Sequence, residues 1–343
     1  MGEFLFDYGI FLAKAVTVVV AVGAVLMLVA GLSRRGAAPP GLQVEKLNDR
    51  YRRLGNALQR AVLNKVDWKK HAKEEKKLSK KREKDSRKED SVRRRIFVLD
   101  FKGDIKASGV SHLREEVSAV LSTASTQDDV VLRLENAGGA VHEHGFAASQ
   151  LLRVKKRGIP LTVIVDKVAA SGGYLMACIA DRIIAAPFAV VGSIGVLAQI
   201  PNFNRALESR GVDFEQVTAG KYKRTVTMFG KNTDEDRAKL KEELEEVHDL
   251  FKAMVSEHRP GLDIDAVANG EHWYGSRALE LGLLDQLGTS DDYLLESAED
   301  ADIFQVSFKG KPTLQERVLS AMEGSIARLE EWFAEFQSRG GLR

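Results

Sequence analysis

A serine flanked by small residues is the first candidate for chemistry in this chain. The stretch Val168–Tyr174 reads V-A-A-S-G-G-Y and follows the apolar run Leu161–Val165. Alanine and glycine around Ser171 leave its hydroxyl uncrowded and let another backbone approach closely. The pattern is typical of a nucleophile presented after a strand, although a plain strand-to-helix turn would have the same residues.

A serine nucleophile needs a base, and histidine is the first to consider. Of the seven histidines, only His142 and His144 come close after a glycine turn, which is formed by residues 138 and 139. Two residues apart, these histidines lack the i, i+4 spacing that places two imidazoles on one helical face. No metal site is therefore expected.

Lysine is the other candidate base, and Gly220-Lys221-Tyr222-Lys223 places two lysines after a predicted strand at Asp213–Thr218. A lysine works as a base only when its pKa, about 10.4 in water, is lowered by about three units. Burial in an apolar pocket has that effect. Spacing alone does not separate such a lysine from a solvated surface charge.

From Ile96 onward the chain repeats a strand, a glycine turn, a helix and a strand. Predicted strands at Ile96–Phe101, Val130–Leu134, Leu161–Val165 and Arg182–Ala186 alternate with helical stretches. This order is typical of βαβ units, which predicts an α/β fold with helices packed on a mostly parallel sheet. A long helix is predicted at Glu235–Glu257, with a last strand at Ile303–Phe308.

The N-terminal part has a different composition. Ala15–Leu32 contains 18 residues without a charge, which is long enough for a transmembrane helix and long for the core of a signal peptide. Val44–Ala61 has apolar residues three and four apart, which predicts a helix that contacts a partner. Between Lys65 and Arg95, 15 Lys/Arg stand against 7 Asp/Glu, although the whole chain has a net charge of +2. This basic arm lacks interleaved aromatic residues, so no nucleic acid is expected as a partner.

These patterns divide the chain of 343 residues into four predicted parts. They are a transmembrane anchor at 1–35, a membrane-proximal helix and charged arm at 36–95, a catalytic domain at 96–310 and an amphipathic helix at 311–343. Cys178 is the only cysteine, which excludes an intrachain disulfide and a cysteine-based metal site. It is expected to be a small buried side chain.

Several motifs in a fixed order resemble the signal peptide peptidase A family. They are V-A-A-S-G-G-Y, the turn Gly192-Ser193-Ile194-Gly195, Gly220-x-x-Lys223, and Trp273-Tyr274-Gly275 followed by Gly282-Leu283-Leu284-Asp285. With the predicted anchor and charged arm, the chain looks most like the SohB branch of that family. The resemblance implies a ClpP/crotonase fold, peptide hydrolysis by a Ser/Lys dyad without a cofactor, and a ring-like homo-oligomer in the bacterial inner membrane.

Carried over by position, the resemblance makes Ser171 the nucleophile and Lys223 the general base. Ser193 falls where the family has a hydroxyl that hydrogen-bonds to the lysine. The backbone N–H groups of Gly139 and Gly172 would form the oxyanion hole. One departure is that Asn136-Ala137-Gly138-Gly139 stands where the family usually has Ser-Pro-Gly-Gly, so the turn lacks the rigidity of a proline.

Two other functions are compatible with parts of this pattern. Glycine turns on the same fold also stabilise thioester enolates in acyl-CoA enzymes, and the helical segments suit a membrane scaffold without activity. The expected partners of a peptidase are peptide or membrane-protein substrates, and membrane lipids around the anchor. Arg34 and Arg35 after the anchor favour a cytoplasmic catalytic domain, whereas the resemblance favours the periplasmic side.

Overall fold

The computed structural model describes residues 6–18, 41–85 and 93–310. The chain divides into two units, one formed by residues 43–307 and the other by residues 1–42 and 308–343. Residues 6–18 form a helix. Most of the predicted anchor Ala15–Leu32 and all of the predicted helix 311–343 lie outside the described residues. Among the described residues, no helix is both long and apolar enough to cross a membrane.

Strands and helices alternate through the described residues from 41 to 310. In chain order they are β1 Gly41–Lys46, α1 Leu47–Val62, α2 Lys65–Asp85, β2 Arg95–Lys102, α3 Val110–Thr123, β3 Asp129–Glu135, α4 Val141–Lys156, β4 Leu161–Val165, β5 Val168–Ala170, α5 Gly172–Ala177, β6 Arg182–Ala185, β7 Val190–Gly192, α6 Asn204–Glu208, α7 Asp234–His258, α8 Ile264–Val267, β8 His272–Tyr274, α9 Gly275–Glu280, β9 Gln286–Leu287, α10 Ser290–Ser297 and β10 Asp302–Lys309.

The strands form two sheets. The larger has the order β1-β10-β2-β3-β4-β6-β9, and its pairs from β10 to β9 are parallel. The smaller has the order β5-β7-β8, with β5 and β7 parallel and β8 antiparallel to β7. The predicted α/β fold with a mostly parallel sheet is confirmed.

The inner strands β2, β3 and β4 of the larger sheet are buried on both faces, as is typical of parallel strands. Along β2, Phe97 and Leu99 belong to the main hydrophobic core, whereas Ile96 and Val98 belong to a second cluster with Leu47. This alternation follows from the two-residue period of a strand, which sends successive side chains to opposite faces. The near-continuous apolar run of the sequence therefore marks a strand covered on both sides.

The helix that was predicted to start near Val44 begins three residues later. Val44 lies in β1, and α1 begins at Leu47, which is 2% exposed. Asn48 Nδ2 donates to the carbonyl of Ala301 (2.9 Å), and the Ile303 amide donates to Asn48 Oδ1 (2.8 Å). These bonds hold the first turn of α1 against the chain just before and within β10.

The strand predicted at Asp213–Thr218 is wrong. These residues are exposed and have neither strand nor helix geometry. A strand needs a neighbour that accepts its backbone hydrogen bonds, and residues 196–232 contribute none to either sheet. The segment has α6 as its only regular element.

Candidate active site

Ser171 lies at the sharp junction between β5 and α5. Its backbone has a φ of 52°, in a region that residues other than glycine rarely occupy. Its amide donates to the carbonyl of Gly192 (2.8 Å), because β5 and β7 pair with Ala170 opposite Gly192. Among the described residues, the Ser171 hydroxyl makes no hydrogen bond, so it is available for chemistry.

Ser193 occupies the corresponding position at the end of β7. It follows Gly192 and has a φ of 53°, nearly that of Ser171. Its amide donates to the carbonyl of Glu271 (2.6 Å), just before β8. The register of β5 and β7 therefore brings the predicted nucleophile and the predicted base-orienting serine to the same end of the smaller sheet.

The predicted oxyanion loop packs directly against Ser171. Gly138 and Gly139 have φ values of 91° and 155°. A Cβ atom at Gly138 would lie 2.7 Å from Ser171 Cβ and 2.9 Å from the Gly172 nitrogen. A Cβ atom at Gly139 would lie 2.2 Å from the carbonyl oxygen of Ile105. Both glycines are needed because the backbone approaches two neighbours closely.

The amide groups of this loop are used in different ways. Gly138 N–H donates to Asn136 Oδ1 (2.9 Å), and Ala140 N–H donates to the carbonyl of Ile105 (2.8 Å). Between them, Gly139 N–H donates no hydrogen bond to any described residue. A free amide here and the amide of Gly172 at the start of α5 suit a developing negative charge on a substrate oxygen.

Lys223 lies apart from this packed region. It is exposed in the segment 196–232, its amide donates to the carbonyl of Gly220 (3.1 Å), and within the described residues its Nζ has no ion pair or hydrogen bond. Lys221, by contrast, pairs with Glu235 at 2.8 Å and lies over the ring of Tyr222. The hydrogen bond to Glu235 raises the pKa of Lys221. The structure does not bring Lys223 into hydrogen-bond contact with Ser171.

The two histidines after the glycine turn have different surroundings. His142 is exposed beside Glu143, whereas His144 is fully buried. His144 Nδ1 lies 2.9 Å from the carbonyl oxygen of Ala140, and Nε2 lies 3.2 Å from Asn136 Oδ1. No histidine among the described residues hydrogen-bonds to Ser171. Within those residues there is also no cluster of three potential metal ligands.

Sequence reasoning missed the contact between Asn136 and His144. From the sequence, Asn136 stands out only as a departure from a family pattern, and His144 only as a possible base or metal ligand. The available signal was an amide side chain at the end of a strand, before two glycines, with an imidazole in the following helix. Such a residue is suited to cap a turn by bonding the backbone two residues later.

The motif Gly282–Asp285 supports the helix that follows Ser171. Tyr174 is fully buried and donates its hydroxyl to the carbonyl of Leu283 (2.9 Å), and burial raises its pKa. Asp285 accepts two hydrogen bonds from Arg259 (2.7 and 2.9 Å). Burial acts to raise the pKa of Asp285, but the bonds from Arg259 and from backbone lower it overall. The motif thus holds α5 in place.

Cys178 is the small core residue that the sequence predicts. It is fully buried at the end of α5, and its Sγ lies 3.3 Å from the carbonyl oxygen of Leu175. Burial raises the pKa of its thiol to about 12, which keeps it protonated at neutral pH.

Comparison with known proteins identifies the family. Residues 3–151 match the family described as Peptidase family S49 N-terminal, and residues 153–303 match Peptidase family S49. A probable protease SohB of Haemophilus influenzae is 44% identical over 348 residues, which cover 99% of both chains. Another from Buchnera aphidicola (subsp. Acyrthosiphon pisum) is 52% identical over 235 residues, or 68% of this chain and 70% of the relative.

A more distant relative has a more specific name. The putative signal peptide peptidase SppA of Enterococcus faecium is 28% identical over 271 residues, which are 68% of this chain and 78% of that protein. The resemblance inferred from the motifs is thereby confirmed, and it favours a peptidase over an acyl-CoA enzyme or an inactive scaffold. The chain belongs to peptidase family S49, in the SohB branch of the signal peptide peptidase A family, and is a peptidase.

Proposed function

We propose that the chain is a membrane-anchored serine endopeptidase in which Ser171 is the nucleophile and Lys223 the general base. The observation that carries this proposal is the backbone of Ser171, a non-glycine residue at a φ of 52° with an uncommitted hydroxyl beside the Gly138 turn. With a ψ of −122°, this backbone conformation is sparsely populated by residues other than glycine and costs about 1–3 kcal/mol. Strain of this kind clusters at active sites, where the surrounding packing maintains it.

The mechanism first forms an acyl-enzyme and then hydrolyses it, and the protons balance in both stages. Lys223, as a neutral amine, takes the proton of Ser171 Oγ while that oxygen attacks the carbonyl carbon of the peptide bond. The oxyanion accepts hydrogen bonds from the amides of Gly139 and Gly172. The C–N bond then breaks, and the leaving amine takes the proton from Lys223. Water attacks the ester while the same lysine takes its proton, and the lysine returns that proton to Ser171 Oγ as the C–O bond breaks; Ser193 orients the lysine.

The exposure of Lys223 supports a homo-oligomer. A lysine becomes a base near neutral pH only when water is kept from it. No residue from 196 to 232 is buried, and Leu197 and Val217 of this segment are 75% and 96% exposed. Exposed apolar side chains next to an unpaired functional group suit a surface that another copy covers. A ring-like assembly would both bury this segment and shield Lys223.

The proposal also includes the fold, the membrane anchor and the substrates. The larger sheet is mostly parallel, and strand β5 of the smaller sheet leads into Ser171. Both features are compatible with a ClpP/crotonase fold. The 18 uncharged residues Ala15–Leu32 support a single-pass anchor in the bacterial inner membrane. The relative named a putative signal peptide peptidase supports peptides or membrane-associated polypeptides, such as remnants of signal peptides, as substrates.

The test uses the full chain with three single substitutions. Ser171→Ala and Lys223→Met should each lower peptide cleavage by at least about 1,000-fold, because each removes one partner of the proton transfer. Lys221→Met is the matched control, since Lys221 is two residues away but already paired with Glu235. It should retain cleavage within about threefold, or about 0.7 kcal/mol in activation free energy. Sedimentation should show the same assembly for all variants.

A fluorophosphonate probe gives an independent measurement. Mass spectrometry should locate the label on Ser171 in the unchanged protein and find none in Lys223→Met. Full cleavage by Ser171→Ala would exclude the nucleophile, and equal losses in the two lysine variants would exclude a specific base at Lys223.

A further inference from the structure

Two buried polar side chains lie directly beneath the oxyanion loop. Asn136 is 1% exposed and His144 is 0% exposed. The backbone of Asn136 extends β3 toward β5, because its amide donates to the carbonyl of Val168 (2.9 Å) and its carbonyl accepts from Ala170 (3.0 Å). Asn136 thus pairs with Ala169, which stands two residues before the strained serine, and Asn136 itself stands two residues before Gly138.

The side chain of Asn136 continues this link into the loop. Its Oδ1 accepts from the amide of Gly138 (2.9 Å), and its Nδ2 donates to Met176 Sδ (3.4 Å). The bond to Gly138 turns that amide inward, which leaves Gly139 as the next available donor. Close packing holds the amide in place, because a Cβ at Gly103 would lie 2.5 Å from Asn136 Cγ.

His144 ties the far end of the loop to the same amide. Its Nε2 lies 3.2 Å from Asn136 Oδ1, and its Nδ1 lies 2.9 Å from the carbonyl oxygen of Ala140. Its ring also touches α5, because a Cβ at Gly172 would lie 2.5 Å from His144 Cγ. One ring therefore contacts both halves of the oxyanion site.

We propose that Asn136 and His144 are positioning residues that fix the oxyanion donors of Gly139 and Gly172. This inference rests on the proposed function, because it takes these two amides as the donors. The hydrogen bond from Gly138 to Asn136 and the ring contacts of His144 restrict the turn that a proline at position 137 would otherwise stiffen. Neither residue touches the substrate, and both act through the geometry of the loop.

The first experiment separates positioning from binding. His144→Phe keeps a ring of similar size but removes both nitrogen contacts, and Asn136→Ala removes the bond to Gly138. Each should lower kcat between about tenfold and 100-fold with KM within about twofold, because a donor displaced by about 1 Å loses transition-state stabilisation. The kcat of the double variant should fall no further than that of the more damaging single variant, since both residues act through one contact.

Gln150→Leu is the matched control on the same helix. Gln150 is 4% exposed and bonds to the carbonyl of Phe146 and to Arg153, away from the loop. The substitution Gln150→Leu should reduce the free energy of unfolding by about 1 kcal/mol without changing kcat. A loss of kcat equal to that of His144→Phe would show that the effect is general destabilisation.

Rescue by proline is the second experiment. Ala137→Pro added to His144→Phe, or to Asn136→Ala if the first variant does not fold, should restore most of the lost kcat. Proline restricts the turn, and the amide of Ala137 donates no hydrogen bond to a described residue that proline would remove. Ala137→Leu is the control, because it enlarges the side chain without locking the backbone.

The outcomes distinguish this inference from the proposed function. Unchanged kcat in His144→Phe and Asn136→Ala, a loss confined to KM, or equal results from proline and leucine at position 137 would overturn the positioning role. In each of those cases Ser171→Ala would still be inactive. An active Ser171→Ala would instead overturn the proposed function itself.

Discussion

The region around Ser171 and the segment that contains Lys223 are built differently. Ser171 follows a paired strand, and Gly138 and Gly172 pack against it and against buried residues. Residues 196–232 contain no buried residue and add no strand to a sheet. Ser171, the proposed nucleophile, is therefore positioned by the folded core, whereas Lys223, the proposed base, lies in a segment with little support from that core. Segments of this kind open most easily in native proteins.

The segment does have local order of its own. Asn202 donates to the carbonyls of Thr227 (2.9 Å) and Gly230 (3.0 Å), so its two ends are joined. Phe229 stacks near Phe203 and Phe214. The segment is therefore shaped locally, while its placement relative to Ser171 needs further contacts.

Two glycine substitutions test this contrast most strongly. Gly138 and Gly220 have φ values of 91° and 97°, so alanine is strained at either position. Only Gly138 is crowded, with Ser171 Cβ 2.7 Å from the added carbon, whereas Gly220 has Lys223 Cβ at 4.0 Å. Gly138→Ala should lower kcat by about 100-fold, and Gly220→Ala should have a clearly smaller effect. Equal losses in a steady-state assay would contradict a difference in packing between the two regions.

Dilution tests whether assembly completes the site. Specific activity of the full chain should fall as the protein is diluted and sedimentation shows single copies. The first cuts by a nonspecific protease should then lie within residues 196–232, because exposed chain without buried contacts is cut first. Constant specific activity in single copies would mean that the segment reaches Ser171 without a partner.

Ser193 lies on the packed side and orients the base in the proposed mechanism, so its removal should have a moderate effect. Ser193→Ala should lower kcat by about tenfold, or about 1.4 kcal/mol in activation free energy, through loss of the hydroxyl that orients Lys223. Ser193→Gly is the control, because it also relieves the strain of a φ of 53°. The same loss in both variants, with higher stability of the glycine variant in urea, would assign the effect to the hydroxyl. Full activity of either variant would remove Ser193 from the mechanism.

The smallest effect on cleavage is expected from a change in the ion pair between Arg95 and Asp128, which lies outside both regions. Asp128 accepts from Arg95 at 2.6 and 2.8 Å, and these bonds, with those from Ser125, lower its pKa to about 2. A carboxyl with a lowered folded-state pKa stabilises the protein above its unfolded pKa, about 3.9, and loses this contribution as pH falls through the folded value. Stability should therefore decline between about pH 4 and pH 2.

Asp128→Asn measures this contribution. The variant should be less stable than the unchanged protein at pH 7, and the difference should shrink as the pH approaches about 2. Its cleavage at neutral pH should stay within about twofold. A constant stability difference in urea unfolding from pH 7 to pH 2 would show that the loss comes from packing and not from charge.

Local patterns predicted most of the core. The strands at Ile96–Phe101, Val130–Leu134 and Leu161–Val165 are confirmed, because each is a short apolar run bounded by turn residues. The strand at Asp213–Thr218 is wrong because no partner strand is available to pair with it. Apolar side chains such as Phe214 and Val217 thus indicate a strand only where a sheet edge is near.

The amino-acid sequence alone specified the residue types of the candidate site and the glycines that allow the backbone to pack closely around it. It placed Ser171 and Ser193 in small-residue turns after strands and indicated the turn at 138–139, because these features depend on neighbouring residues. The tertiary structure alone decided that Ala170 pairs with Gly192 and that His144 reaches Asn136 beneath Gly172. Those contacts depend on strand register and on the packing of a helix against the loop, which no local pattern specifies.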